Sequence, residues 1–271
     1  MDLEHLALEQ PGRDAPERTG TQSLGRGIKL MRMIAARPDF GWRLSDLAAA
    51  CRQDKGTVHR MLACLVEERL VMQRAADRRY LPGPLMYELG LAIPARAQFQ
   101  RRAESVLQSF ARRMGGISLL LLRSGNEYVC SVRVGALPLA GLMVQAGTRR
   151  PLITSVGGIA IIQTLNADEA RQVLLNNVAQ EIAGHGTMRL HALQKMQERS
   201  DHHGWGVNLG DVVPGVHAFS VPVRDSQGDA FAAVCLMGTA ELYGEQRLPE
   251  LHEALQAVAL VLSADAHKFS I

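Results

Sequence analysis

The sequence predicts an α+β protein of two domains, and three observations carry the prediction. A pair of short amphipathic helices followed by a basic hairpin lies between residues 44 and 82. A long helical stretch with one apolar stripe starts at Pro94. Beyond Gly115-Gly116 the spacing of apolar residues changes from the helical period to alternation, which is the signature of strands. Strands wrapped by helices after an all-helical start make an α+β architecture, and 271 residues are long for one domain and natural for two.

The first segment, MDLEHLALEQPGRDAPERTG, has acids near its start and no long apolar core, so it is not a signal peptide. Residues 1–22 read as a flexible arm. Ser23 to Ala36 reads as a helix with Leu24, Ile28, Met31 and Ile34 on one side, ended by Pro38 and Gly41. Ser45 is placed to cap a second helix whose Leu44, Leu47, Ala48 and Cys51 face inward. Arg52-Gln53 breaks the pattern. Asp54 then caps a third helix with Val58, Met61, Leu62, Leu65 and Val66 inward. Its first turns carry Lys55, Gly56, Thr57, His59 and Arg60 outward, where a recognition helix meets base edges and phosphates. Leu70-Val71-Met72 and Tyr80-Leu81 flank the tip from Gln73 to Arg79, the pattern of a winged hairpin.

Charge supports this reading. From Ser23 to Tyr80 twelve basic side chains face six acidic ones, a balance of +6; the whole chain carries +3, so the remainder sums to −3. A segregated positive module is the footprint of a polyanion binder, and double-stranded DNA is the expected partner. Such charge predicts affinity and salt dependence without predicting an operator sequence.

Pro82-Gly83-Pro84 punctuates the exit from the hairpin, and Leu85 to Leu91 reads as a short helix. From Pro94 to Met114 the stripe Phe99, Ala103, Val106, Phe110 needs a partner surface, on its own domain or on a twin subunit. Ile117–Leu122, Glu127–Val134 and Leu139–Val144 read as strands. Ile159–Leu165, Ala167–Asn176 and His191–His202 read as helices. Ala218–Val223 and Asp229–Gly238 form a hairpin across Asp225-Ser226-Gln227-Gly228, and a last helix runs from Pro249 to His267. No apolar run approaches a membrane span. Four scattered cysteines without a CxxC pair read as reduced thiols of a cytoplasmic protein.

At this point the chain resembles the IclR family of bacterial transcription regulators. The N-terminal likeness lies in Ser23-Leu24-Gly25-Arg26-Gly27, in Lys55-Gly56-Thr57-Val58-His59-Arg60-Met61-Leu62 and in Arg79-Tyr80-Leu81-Pro82-Gly83-Pro84. The C-terminal likeness lies in Gly147-Thr148-Arg149-Arg150-Pro151-Leu152, Gly158, Pro214-Gly215-Val216 and Pro222-Val223-Arg224-Asp225. The resemblance implies a winged helix–turn–helix domain over residues 23–83, a helical linker over 84–114 and a GAF-like α+β effector-binding domain over 115–271. It implies a regulator, not an enzyme, that works as a homodimer or homotetramer and answers a small molecule. The DNA-contacting candidates are Arg26, Lys55, Thr57, His59, Arg60, Arg74, Arg78 and Arg79.

The effector candidates combine the resemblance with local physics. Thr154, Ser155, Gly157 and Gly158 precede an apolar helix, where backbone N–H groups can receive a carboxylate. Asn208 stands where the family often has an acid, and His217-Ala218 where it often has Arg-Cys. Cys235 and Met237 stand in place of inward serines. With Val216 these residues outline a pocket of reduced polarity, suited to a partly apolar or aromatic organic acid or a phenol rather than a compact dianion. Oxidation of Cys130 or Cys235 gives an alternative, a thiol-based redox regulator on the same scaffold. Asp201-His202-His203 lacks a third metal ligand in spacing and reads as a helix end. Ser220 and His217 lack a nucleophile elbow. Gly157-Gly158 lacks the lysine of a phosphate loop. No cofactor, metal or catalytic residue is implied.

Overall fold

The computed structural model describes residues 3–7, 21–137 and 144–271. The chain forms two compact units, Arg13–Pro94 and a larger one made of Met1–Gly12 with Ala95–Ile271. The first helical turn, α1 (Leu3–Leu6), therefore belongs to the C-terminal unit. The stretch read as one linker is two helices divided between the units.

In the N-terminal unit, α2 (Gln22–Ala35), α3 (Leu44–Cys51) and α4 (Lys55–Glu67) pack around Leu30, Ile34, Leu47, Val58 and Leu62. The hairpin of β1 (Val71–Gln73) and β2 (Tyr80–Pro82) adds Val71 and Tyr80 to that core. Trp42 and Tyr80 exchange backbone hydrogen bonds of 2.9 and 2.8 Å, so the α2–α3 loop forms a third rung of the wing. Then α5 (Pro84–Gly90) closes the unit, its Glu88 paired with Arg69. Three expectations change. Leu24 and Ile28 are exposed, because the buried stripe of α2 runs through Leu30 and Ile34. Ser45 lies inside α3 and does not cap it, since Arg43 holds the extended residue before the helix. Val66 is exposed at the end of α4.

The C-terminal unit opens with α6 (Pro94–Met114), which leads into β3 (Ile117–Ser124) and β4 (Glu127–Val134). The expected strand Leu139–Val144 lies, except for Val144, outside the described residues. Next come β5 (Arg149–Pro151), α7 (Val156–Ile162), α8 (Ala167–His185), α9 (Leu190–His203) and β6 (Gly206–Leu209). The chain ends with β7 (Val216–Arg224), β8 (Ala230–Thr239) and α10 (Leu248–Lys268). The strands form one antiparallel sheet in the order β5-β4-β3-β8-β7-β6.

Alternation along β8 shows how the sheet is covered on both faces. Ala232, Val234 and Leu236 join α6 and α10 in one core, while Ala233 and Cys235 join α7, α8 and α9 in another. In β4 the pairing skips Ser131 opposite Leu120 and Leu121, so Tyr128 and Cys130 face one core and Val132 and Val134 the other. The short β5 and β6 escaped the sequence because three or four residues carry too little alternation. The stripe of α6 packs within its own unit: Phe99, Ala103 and Phe110 are buried in the α10-side core.

The N-terminal segment departs furthest from expectation. Leu3 and Leu6 are buried among α8 and α9, and the Leu3 amide donates to Gln194 Oε1 at 2.6 Å. Two leucines three apart on an amphipathic turn find an apolar groove, and burial outweighs the entropy of a free end. Residues 8–20 of the expected arm lie outside the described residues. Leu6→Ala is expected to cost the C-terminal unit about 2 kcal/mol in urea denaturation; an unchanged midpoint would show that the turn does not dock.

Candidate functional site

The positive module presents α4 with its first turns in solvent. Asp54 caps the helix, accepting from the Thr57 amide at 2.8 Å, and hydrogen bonding from the Thr57 side chain, then from its amide, holds the Asp54 carboxyl below its ordinary pKa. Val58 and Leu62 anchor the opposite face in the core, which leaves Lys55, His59 and Arg60 exposed. Arg60 Nη2 donates to Thr57 Oγ1 at 3.3 Å, so the two expected base-reading groups share one patch.

The wing divides its arginines. Arg74 pairs with Asp77 at 2.8 Å and donates to the Asp39 and Phe40 carbonyls. Arg79 stands 3.3 Å from the same carboxylate and also donates to the Phe40 carbonyl. The hydrogen bond from Arg74 pulls the Asp77 pKa down to about 2. Arg74 and Arg79 thus tie the hairpin tip to the loop before α3. Arg78, left-handed at φ 60°, is exposed at the tip. Arg26 is half-buried on α2.

In the C-terminal unit a cavity of about 100 Å³ opens between the sheet and the helices of the α7 side. Thr154, Ser155, Asn208, Val216, Ala218, Cys235 and Met237 line it, as expected from the sequence. Gly157 and Gly158 do not. An added Cβ at Gly157 would sit 2.7 Å from Cys235 Sγ, and one at Gly158 would sit 1.9 Å from the Leu152 carbonyl oxygen. These glycines exist so that α7 can press on the sheet and on the turn before it. The Gly158 amide is also taken, donating to the capping Ser155 Oγ at 3.0 Å. Of the residues expected at an anion seat, Gly157 and Gly158 thus stand outside the cavity wall, while Thr154 and Ser155 lie on it.

Asn208 lines the cavity with its amide already committed. Its Nδ2 donates to the Val216 carbonyl at 3.3 Å, and its Oδ1 accepts from the Asp211 amide at 3.0 Å. It braces the β6–β7 loop, whose Val212 and Val213 form part of the wall. Sequence reasoning missed Tyr128, Arg150 and Arg189, which also line the cavity. Arg150 had a signal, since it lies in the quoted Gly147–Leu152 motif. Arg189 had none, because it reaches the cavity only through the placement of α9.

Comparison with known proteins matches both halves of the chain. A model described as the IclR helix-turn-helix domain matches residues 23–75, and one described as bacterial transcriptional regulator IclR C-terminal matches residues 94–264. The HTH-type transcriptional regulator KipR of Bacillus subtilis is 23% identical over 241 residues, covering 88% of this chain and 94% of the relative. The HTH-type transcriptional repressor AllR of Escherichia coli is 24% identical over 263 residues, covering 94% of each. An IclR family regulator from Brucella abortus has the same fold, with a TM-score of 0.72 at 18% identity over 97% of this chain and 98% of that one. An IclR homologue from Microbacterium hydrocarbonoxydans, complexed with 4-hydroxybenzoate, has a TM-score of 0.63 at 17% identity, covering 90% of this chain and 98% of that one.

Cys130 and Cys235 are buried on the cavity side of the sheet, and burial pushes each thiol up to about 12. The thiolate is the reactive form, so neither sulfur supports the alternative of a thiol sensor. The sign of the linkage follows from the raised values: the neutral thiols stabilise the fold fully below the ordinary pKa of 9.0, and that contribution is lost as pH rises towards 12. Native protein at neutral pH is expected to react with Ellman's reagent at exposed Cys64 and not at Cys130 or Cys235 until it unfolds. Rapid native labelling of either buried thiol would contradict this.

Proposed function

The chain belongs to the IclR family of bacterial transcription regulators, and we propose that α4 and the wing hold an operator whose grip changes when a small organic acid or aromatic metabolite fills the C-terminal cavity. The observation that carries the DNA reading is the exposed, Asp54-capped start of α4 within a module of charge +6. Thr57 and Arg60 meet base edges, while Lys55, His59 and Arg26 meet the flanking backbone. Arg78 contacts phosphate; Arg74 and Arg79 act mainly by shaping the wing. The relatives are regulators of transcription rather than enzymes, and no described helix is long and apolar enough to cross a membrane.

The effector reading rests on a mostly apolar cavity with a few polar groups, the usual form of a small-molecule site. That a protein of the same fold holds 4-hydroxybenzoate supports an acid or phenol here. Assembly is part of the proposal. Leu24 is 66% exposed on α2, and Tyr87 and Leu91 are 72% and 58% exposed at the end of the unit. Such apolar surface is suited to pairing two winged modules, as two operator half-sites require.

Fluorescence anisotropy on DNA from upstream of its own gene tests the reading. Arg60→Ala is expected to weaken operator binding by ~1–3 kcal/mol. Arg78→Ala is expected to weaken binding to all sequences and to lower the salt slope by about one. Leu24→Asp is expected to sediment as a smaller species and lose operator affinity with it. A wild-type chain that prefers no sequence over random DNA would refute the assignment.

A further inference from the structure

Along the chain, the winged unit is fastened at both of its ends. The chain starts in the C-terminal unit with Met1–Gly12, crosses into Arg13–Pro94 and returns at Ala95. The return is made by α6, whose apolar stripe is buried in the α10-side core. The other fastening is α1, the first turn of the chain.

That turn is seated by more than apolar contact. Leu3 and Leu6 are buried, and Ala7 packs beside them. The Leu3 amide donates to Gln194 Oε1 at 2.6 Å, and Gln194 Nε2 in turn donates to Glu198 Oε1 at 2.7 Å. Glu4 Oε1 lies 3.7 Å from His191 Nδ1, one turn earlier on α9. Burial and directional bonds together fix one register of α1 on α9, with α8 alongside.

The helix that holds α1 also carries the wall of the cavity. Met196, two residues beyond Gln194, lines it. Arg199 ties α9 to Asp211 of the β6–β7 loop at 2.9 and 3.2 Å, and Val212 and Val213 of that loop line the cavity too. Ser200 Oγ accepts from the Val207 amide at 3.0 Å and joins α9 to β6. A shift of α9 that reshapes the cavity therefore moves the seat of Leu3 and Leu6. Two sites that bias one element are coupled, and the coupling is reciprocal. A single turn held by two leucines can also leave its groove without unfolding the unit.

We propose that α1 is a strap: docked on α9, it gives the DNA-binding unit a second anchor whose hold depends on the cavity wall, and so links the state of the cavity to operator grip. The proposal rests on reading the winged unit as an operator binder and the cavity as the effector site. A module joined at one end pivots about that joint, whereas a module joined at both ends has lost part of that freedom before it meets DNA. The docked strap favours tight operator binding, and its release loosens the grip.

Three variants of the full chain test it: Leu3→Ser with Leu6→Ser, Leu3→Met with Leu6→Met, and an insertion of about 40 glycine and serine residues between Gly12 and Arg13. Hydrogen exchange of α9 reads docking, the Met196 methyl resonance reads the cavity wall, and fluorescence anisotropy reads operator affinity. The serine variant is expected to exchange its α9 amides about tenfold faster, to shift the Met196 methyl and to bind operator about 3–10-fold more weakly. The insertion is expected to keep α9 protected and still to bind operator at least about threefold more weakly, because a longer tether dilutes the anchor. The methionine variant keeps the burial and is expected to match the wild type. Operator affinity at or above the wild-type value in the serine variant or in the insertion would overturn the strap and leave α1 a packing element. An unmoved Met196 methyl in the serine variant would overturn its link to the cavity. A wild-type chain with no operator preference would instead bring down the operator reading, and the strap with it, whatever α9 and Met196 do. No arm uses a ligand, so the effector reading stands or falls separately.

Discussion

The structure of the C-terminal unit depends on one constraint, that both faces of a six-stranded antiparallel sheet must be buried at once. A sheet with one solvated face can alternate polar and apolar residues; this one cannot. Ala232, Val234 and Leu236 need α6 and α10, while Ala233 and Cys235 need α7 and its neighbours. The two coverings differ. The α6–α10 side is filled by Phe99, Phe110, Trp205, Phe219 and Tyr243. The α7 side carries small residues on the strands and a glycine pair on the helix, so helix and sheet touch at Gly157. The cavity opens beside that contact, at Thr154, Ser155 and Val156. Its wall combines strand residues such as Leu119, Leu121, Ala218 and Cys235 with Met196 of α9 and with Val212 and Val213 of the β6–β7 loop.

The N-terminal unit solves a smaller problem by local means. A module of this size has little core, and Trp42, Tyr80 and the Arg74–Asp77–Arg79 cluster tie the wing to the loop before α3. These exposed ion pairs are individually weak. Their effect is geometric, because they hold the tip to the loop before α3 and leave Arg78 exposed. The charge that makes the module attractive to DNA is thus divided between residues that shape it and residues left to touch a phosphate.

Much of this was legible in the sequence, for identifiable reasons. The helix pair, Asp54 as its cap and the hairpin depend on interactions between residues close in the chain, and local patterns record such interactions. The lining residues Ala218, Cys235 and Met237 were legible because they alternate on strands of clear period. What escaped was set by distant partners. Gly157 and Gly158 carry the composition of an anion seat, yet their role is close packing against Cys235 and Leu152. Arg189 reaches the cavity only because α9 lies over the sheet. Leu3 and Leu6 sit in a segment rich in charge, and nothing local marks the groove on α8 and α9 that receives them. Phe99 and Phe110 looked as ready for a twin subunit as for their own domain, and the sheet decided between them.

The cavity beside the start of α7 is proposed to take the small organic acid or aromatic metabolite that this regulator answers. Methyl NMR of the full chain, titrated with short monocarboxylates, tests it most directly, because Met196 and Met237 line the cavity while Met72 and Met86 belong to the N-terminal unit. The Met196 and Met237 methyls are expected to shift with a common saturation curve. Saturable shifts at the methyls of Val221, Ala259 and Leu260, which line a second groove with Trp205 and His252, with Met196 and Met237 unmoved, would contradict it.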